Sequence, residues 1–262
     1  MTIPFPVRMK LIRQRVYAAL GLAGERHVDV EMRDGVALVK VDGRALHVPS
    51  PLRWKLYRKG WDARLDRLER EYGVNRHVRL TEDSVVLDIG ANTGDFAHVC
   101  ARYGASAHCL EPDPTARACL ERNVAALPSV SVHAVAAWKR TGALDFGLAP
   151  DRADSSVFAE TDARVSVAGE RLDAFLPRIG AKRIALLKCD AEGGEPEVLE
   201  GAGERLADID VVALDTGAER QGARTHEACA AILAAHDFDV IDETIGGRMM
   251  TYGLNPRRAA AS

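Results

Sequence analysis

From Ser84 onward the sequence alternates short apolar runs with stretches of helical period, and this alternation limits the chain to very few folds. SVVLDIG, SAHCLE, VSVHAV, RIALLKCD and DVVALD read as strands. Asp95 to Tyr103, Pro114 to Ala126, Glu195 to Leu206 and Thr225 to His236 read as the helices that follow four of them. Helical crossovers force neighbouring strands to run parallel, and strands covered on both faces are apolar without strict alternation. The expected fold class is therefore α/β, a mainly parallel, Rossmann-like sheet with helices on both sides. FDVID and RMMTYGL follow as a hairpin that adds an antiparallel terminal strand at the edge.

The first eighty residues follow a different pattern. Residues 5–20 predict a short amphipathic helix with Val7, Leu11, Ile12, Val16 and Leu20 on one side. HVDVEM, VALVKV and ALHV, separated by Arg33-Asp34-Gly35 and Asp42-Gly43, predict a small β-meander. Residues 50–72 predict a charged helix opening at Ser50-Pro51 and interrupted at Gly60. The expected organisation is a basic extension over 1–79, a main domain over 80–256 and a tail over 257–262.

Charge supports that division. The formal net charge of -3 conceals +8 over residues 1–80 and -11 over residues 81–262. The near-neutral total argues against a dedicated nucleic-acid binder. The basic extension is expected to dock on the acidic domain, the alternatives being an anionic glycan or a membrane surface. Five cysteines without metal-ligand spacing read as buried free thiols. No apolar run approaches the roughly 18–20 residues that span a bilayer, and no signal-peptide pattern is expected. The expected location is cytoplasmic, with peripheral membrane contact as the alternative.

The strongest chemical signal is VVLDIGANTGDF at residues 85–96. Asp88 ends a buried strand, and Gly90 and Gly94 let the backbone turn sharply and approach a ligand at a helix N-terminus. A nicotinamide-binding loop wants Gly-x-Gly-x-x-Gly, and Asn92 breaks that spacing. The next strand ends in CLEPDP, where Glu111 can accept hydrogen bonds from both hydroxyls of a ribose. An acidic site without phosphate-binding features suits a nucleoside with a cationic tail, and S-adenosylmethionine has one.

Four blocks in order, DIGANTGDF, EPDPTARACLERNV, VAGERLDAFL and LLKCDAEGGEPEVLEGA, resemble the FkbM family of S-adenosylmethionine-dependent methyltransferases over about residues 80–255. The resemblance implies a class I methyltransferase fold and O-methylation of a hydroxyl on a saccharide, glycan or other natural product. It implies that Asp88, Gly90, Asn92, Gly94 and Glu111 surround the cofactor and that Ala136 lies near the adenine.

In the fourth block Lys188 and Asp190 project to the same side of a strand. An alcohol is a poor nucleophile until its proton is removed, so Asp190 is a candidate base or orienting group, with Glu192 the other candidate. Lys188 is a third site residue, with a salt bridge to a neighbouring acid as its simpler role. Glu195 reads as a carboxylate suited to a helix N-terminus. Asp215 stands where the family pattern suggests a glutamate. Asp190 and Asp215 at adjacent strand tips could hold Mg²⁺, although metal-free chemistry is the primary expectation.

His108 and His133 read as packed strand residues, and His226 as a minor site candidate after the fifth strand. Residues 148–163, with Ser155 and Ser156, form the expected substrate-facing loop. Trp54, Tyr57 and Trp61 either stack on a sugar or pack in the core. Rival activities are methylation of nitrogen or a carboxylate on a small molecule or peptide, and a non-catalytic cofactor-binding scaffold in glycan assembly.

Overall fold

The computed structural model describes residues 3–150 and 155–259. Helix α1 (Phe5–Ala19) leads into an antiparallel meander of β1 (Asp29–Arg33), β2 (Val36–Val41) and β3 (Arg44–Val48). A 3-10 turn over Pro51–Tyr57 precedes α2 (Trp61–Glu71). The interruption expected at Gly60 is present, with a φ of 101° that no helix accommodates, but the part before it is a 3-10 turn and not α-helix.

The main sheet is built from β4 (Val85–Ile89), α3 (Asp95–Arg102), β5 (Ser106–Leu110), α4 (Pro114–Val124) and β6 (Val130–His133). A segment the sequence reading left irregular forms a second sheet of β7 (Ala136–Ala137), β8 (Gly142–Gly147) and β9 (Arg164–Glu170) in the order β7-β9-β8. The chain then gives α5 (Leu172–Arg178), β10 (Ile184–Cys189), α6 (Glu195–Ala202), β11 (Ile209–Asp215), α7 (His226–Ala235), β12 (Asp239–Ile245), β13 (Arg248–Leu254) and the short α8 (Pro256–Ala259).

The seven-stranded sheet runs β12-β13-β11-β10-β4-β5-β6. β4, β5, β6, β10 and β11 pair in parallel, as the alternating grammar requires. β13 is antiparallel to both neighbours and sits one place in from the edge, with β12 outermost. Strand order reverses between β4 and β10, so their carboxyl ends open a crevice for a ligand.

Each inner strand sends successive residues to opposite faces. Val86, Leu186 and Ala213 join a core cluster with Phe96 and Ala97 of α3, and with Val28, Val39, Trp54, Leu65 and Tyr72 from the N-terminal segment. Leu87, Leu187 and Leu214 join the other cluster, with Phe175, Val198 and Leu233 from α5, α6 and α7. The N-terminal segment therefore covers one face of the sheet. Each of the Val, Leu and Phe side chains among these contributes about 1.5–3 kcal/mol when fully buried.

Helix α1 departs from the single apolar side expected. Val7 and Leu11 are buried, whereas Ile12, Val16 and Leu20 are exposed by 51%, 50% and 65%. The helix has two apolar stripes, and only one meets the core. Among the described residues no helix is long and apolar enough to cross a membrane.

Candidate active site

A cavity of ≈ 820 Å³ opens where β4 and β10 part, and residues from both halves of the chain line it. At the β4 tip the backbone is dictated by contact between loops. Gly90 has φ 67°, and a Cβ there would stand 1.9 Å from the carbonyl oxygen of Asp190. The Gly90 and Ala91 N–H groups donate to Leu110 O at 3.0 and 3.2 Å. This glycine is thus demanded by the β10 loop, independently of any ligand. Gly94, at φ 86°, faces Leu120 Cδ1, which a Cβ would approach to 2.5 Å, and it lies outside the cavity wall.

Asp88 also lies behind the wall. Strand register places Lys188 opposite it, and Lys188 Nζ lies 2.8 Å from Asp88 Oδ1, with both side chains almost wholly buried. Lys188 Nζ donates as well to the carbonyls of Ile89 and Gly90, at 3.1 and 2.9 Å. Burial pushes the Asp88 carboxyl up while the Lys188 charge opposes that shift. The pair is a strut that holds the β4 loop, so the structure gives Lys188 the salt bridge and Asp88 no direct face on the cavity.

Glu111 sits at the β5 tip on the cavity wall. Its Oε2 accepts from the Asn92 N–H at 2.7 Å and its Oε1 from the Asp113 N–H at 2.8 Å. Burial pushes its carboxyl up to about 7 despite these donors. Asn92 adopts the left-handed region at φ 49°, and its Oδ1 accepts from Arg53 Nη2 at 3.2 Å. Ala136 lines the same wall with Trp138 and Phe158, whose rings lie 5.9 Å apart.

The opposite wall is ionic. Asp190 Oδ2 accepts from Tyr72 OH at 3.0 Å and from Arg248 Nη2 at 2.8 Å. Arg248 Nη2 also pairs closely with Asp215, and its Nη1 lies 3.6 Å from Glu71 Oε2. Against burial, the Arg248 and Lys188 charges hold Asp190 down to about 2. Burial and the Asp190 charge push Asp215 up to about 6. Burial, then Asp190 and Asp215, push Glu219 up to about 9. Asp190 Oδ1 is buried and has no hydrogen-bond partner among the described residues.

Carboxylate oxygens of Asp190, Asp215 and Glu219 lie within 4.8 Å of one another, a set that could surround a cation. The Arg248 guanidinium already bridges Asp190 and Asp215 and provides the positive charge there. The donor set thus suits Arg248 better than the Mg²⁺ considered for Asp190 and Asp215, and no step is derived through a metal.

Glu192 lines the cavity at φ 50°. Glu195 does not: its Oε1 accepts from the Ala191 and Gly193 N–H groups at 2.9 and 3.2 Å, and its Oε2 from Thr225 OH at 2.9 Å. It fastens the β10 loop at the start of α6. From the loop expected to face substrate, Ser155 and Ser156 line the cavity, Ser155 Oγ donating to Asp113 Oδ2 at 3.3 Å; residues 151–154 lie outside the described residues. His226, Trp54, Tyr57 and Trp61 are absent from the wall. Tyr57 and Trp61 stack at 6.1 Å, and Tyr57 OH donates to Asp95 Oδ1 at 2.9 Å, so these aromatics hold the N-terminal segment together. His108 and His133 stack on each other at the other edge of the sheet.

The profile of the methyltransferase FkbM domain matches residues 88–240. The chain belongs to the FkbM methyltransferase family. The match begins at Asp88 of the strut and ends in β12, so it spans both walls of the cavity; Arg248 and Tyr72 fall outside it. The 2-O-methyltransferase NoeI of Sinorhizobium fredii is 30% identical over 146 residues, which cover 47% of this chain and 59% of that protein. The chain therefore aligns with less than two thirds of that relative. Among solved structures, Aeropyrum pernix fibrillarin in complex with S-adenosyl-L-methionine aligns at 12% identity with a TM-score of 0.47, covering 87% of this chain and 99% of that one. A SAM-dependent methyltransferase from Aquifex aeolicus aligns at 12% identity with a TM-score of 0.43, covering 78% and 93%.

Sequence reasoning missed Arg248, Tyr72 and the aromatic pair Trp138 and Phe158, whereas Glu219, a guess from sequence for a third ligand beside Asp190 and Asp215, does lie with them. Arg248 was visible only as the first residue of a hairpin strand. Its importance depends on β13 running antiparallel, which carries its amino end to the carboxyl edge of its neighbours.

Proposed function

We propose that this FkbM-family protein transfers a methyl group from S-adenosylmethionine to a hydroxyl oxygen of a saccharide or related natural-product acceptor. The cofactor supplies an electrophilic methyl carbon on a sulfonium. The residues present suit it. Glu111 would accept from the ribose hydroxyls, Ala136 would lie beside the adenine, and the Gly90 to Asn92 backbone would pass along the nucleoside. The acidic wall favours a cation over the phosphates of a dinucleotide.

The observation that carries the acceptor reading is Asp190 Oδ1, a buried acceptor atom on the cavity wall with no donor of its own. A hydroxyl donating to it would satisfy a group that is otherwise costly to bury. The same atom repels a carboxylate acceptor. Asp190 is a poor base because Arg248 and Lys188 stabilise its ionised form, so its role is to orient the oxygen. Glu219, pushed up to about 9, already holds a proton near neutral pH. As the C–O bond forms and the C–S bond breaks, the proton of the acceptor hydroxyl would therefore pass to Asp215, which is ionised above about 6 and has a carboxylate oxygen within 4.8 Å of one of Asp190. The relative named a 2-O-methyltransferase supports oxygen as the methylated atom.

The test is incubation with methyl-labelled cofactor and a panel of saccharides and glycans, followed by localisation of the label. A labelled methyl ether, lost by about a hundredfold in Asp190→Asn with cofactor affinity unchanged, is the expected result. Label on nitrogen or carboxylate, or full activity in Asp190→Asn, overturns the reading.

A further inference from the structure

Helix α1 carries four basic residues and no acidic one, and it offers solvent a second apolar stripe. Phe5, Met9, Ile12, Val16 and Leu20 recur at spacings of four and three residues and are all exposed, Phe5 by 71% and Leu20 by 65%. At ~100° per residue this stripe points almost directly away from buried Val7, Leu11 and Gln14. Arg8 lies along one flank, Lys10 and Arg13 along the other. A helix whose outward face served only as a solvated surface would place its charges on the centre line. Here the centre line is apolar and the charges border it.

Beside the Lys10 flank lies a second hollow, of ≈ 420 Å³, whose wall includes Lys10, Arg13, Trp54, Lys55 and Arg58. One acid, Glu25, also lines it and is engaged by Arg58 at 2.9 Å and Lys59 at 3.3 Å. Trp54 is 4% exposed, and its indole Nε1–H is buried without a hydrogen-bond partner among the described residues. A buried unpaired donor in a cationic hollow suits an anionic oxygen.

We infer that α1 and this hollow form a docking surface for an anionic phospholipid membrane. The Phe5 to Leu20 stripe enters the boundary between headgroups and acyl chains. Lys10, Arg13 and Lys55 face the anionic headgroups, and the hollow receives a lipid phosphate as acceptor for Trp54 Nε1–H. Charge complementarity selects the occupant: a second copy would bring its own basic flanks against these, whereas an anionic leaflet neutralises them. The 3-10 turn Pro51–Tyr57 spans both sites, with Trp54 and Lys55 at the hollow and Arg53 and Leu56 at the main cavity, so a bound membrane lies next to the acceptor entrance. The inference stands on its own observations and survives failure of the methyl-transfer reading.

The experiment is co-sedimentation of the full chain with vesicles of equal parts phosphatidylglycerol and phosphatidylcholine, and with pure phosphatidylcholine, across a salt series. Binding to the anionic vesicles alone, weakened by salt, is expected. Ile12→Glu with Val16→Glu, both exposed, should lose at least roughly tenfold in affinity with an unchanged thermal melt. Lys10→Ala with Arg13→Ala should lose about thirtyfold and flatten the salt dependence. Failure to bind the anionic vesicles, or equal binding to neutral ones, overturns the inference. So does a wild-type dimer that the Ile12 and Val16 variant converts to monomer with vesicle affinity unchanged.

Discussion

The α-carbon of Gly90 and the carbonyl oxygen of Asp190 are so close that a methyl group at Gly90 would lie 1.9 Å from that oxygen. The two loops that follow β4 and β10 therefore pack backbone to backbone. Gly90→Ala should cost about 3 kcal/mol or more, through the clash and the positive φ together. Denaturant midpoints measure this. A variant with wild-type stability would show that the loops separate at little cost.

Lys188 and Asp88 form a buried pair, so removing one leaves the other charge uncompensated. Lys188→Met should destabilise by about 3–5 kcal/mol, and adding Asp88→Asn should recover a large part of that loss. If the strut only positions the loop, cofactor affinity should recover along with stability in the double variant. Isothermal titration beside thermal melts separates the two effects.

Glu111 and Glu195 both have carboxyls pushed up to about 7 by burial. Their folded forms hold a proton that the unfolded chain releases near pH 4.5, so the unfolded state binds fewer protons between these values. Stability of the cofactor-free protein should therefore fall as pH rises from about 4.5 to about 7. Cofactor affinity should move oppositely, rising as Glu111 ionises and can accept from two hydroxyls. Glu111→Gln should remove that rise, and titrations at pH 6 and pH 8 on the pH scale compare the two proteins.

Arg248 keeps Asp190 ionised far into acid. In Arg248→Gln the acidic limb of the pH profile of kcat should move upward, because burial then acts on Asp190 without its main opposing charge. Wild-type turnover should be indifferent to chelator, with Arg248 serving where a divalent ion would otherwise sit. Loss of wild-type activity on chelation, restored by Mg²⁺, would sink that account.

The parallel sheet was legible because its signal is local: VVLDI and IALLKC are short, apolar and bounded by glycine or acid. Glu111 was legible because its position at a strand tip follows from the chain order. Asp88 and Gly94 were read as facing the ligand, yet they serve the loop from behind, since sequence spacing does not tell which side of a turn a residue takes. The β7-β9-β8 sheet was missed because its strands pair across long separations and β8 and β9 alternate buried and exposed residues only weakly. The same limit hid Tyr72, whose hydroxyl meets Asp190 from 118 residues away.

The place of β13 between β11 and β12 sets an order for the protein's birth on the ribosome. Until residues 248–254 emerge, β11 has an open edge and the neighbouring carboxylates of Asp190 and Asp215 have no guanidinium between them. Between the synthesis of Asp215 and that of Arg248 the nascent chain thus carries a sticky strand and an unbalanced pair of acids. Completion of the sheet and neutralisation of the acid pair become a single event, and a chain stalled before Arg248 can have neither.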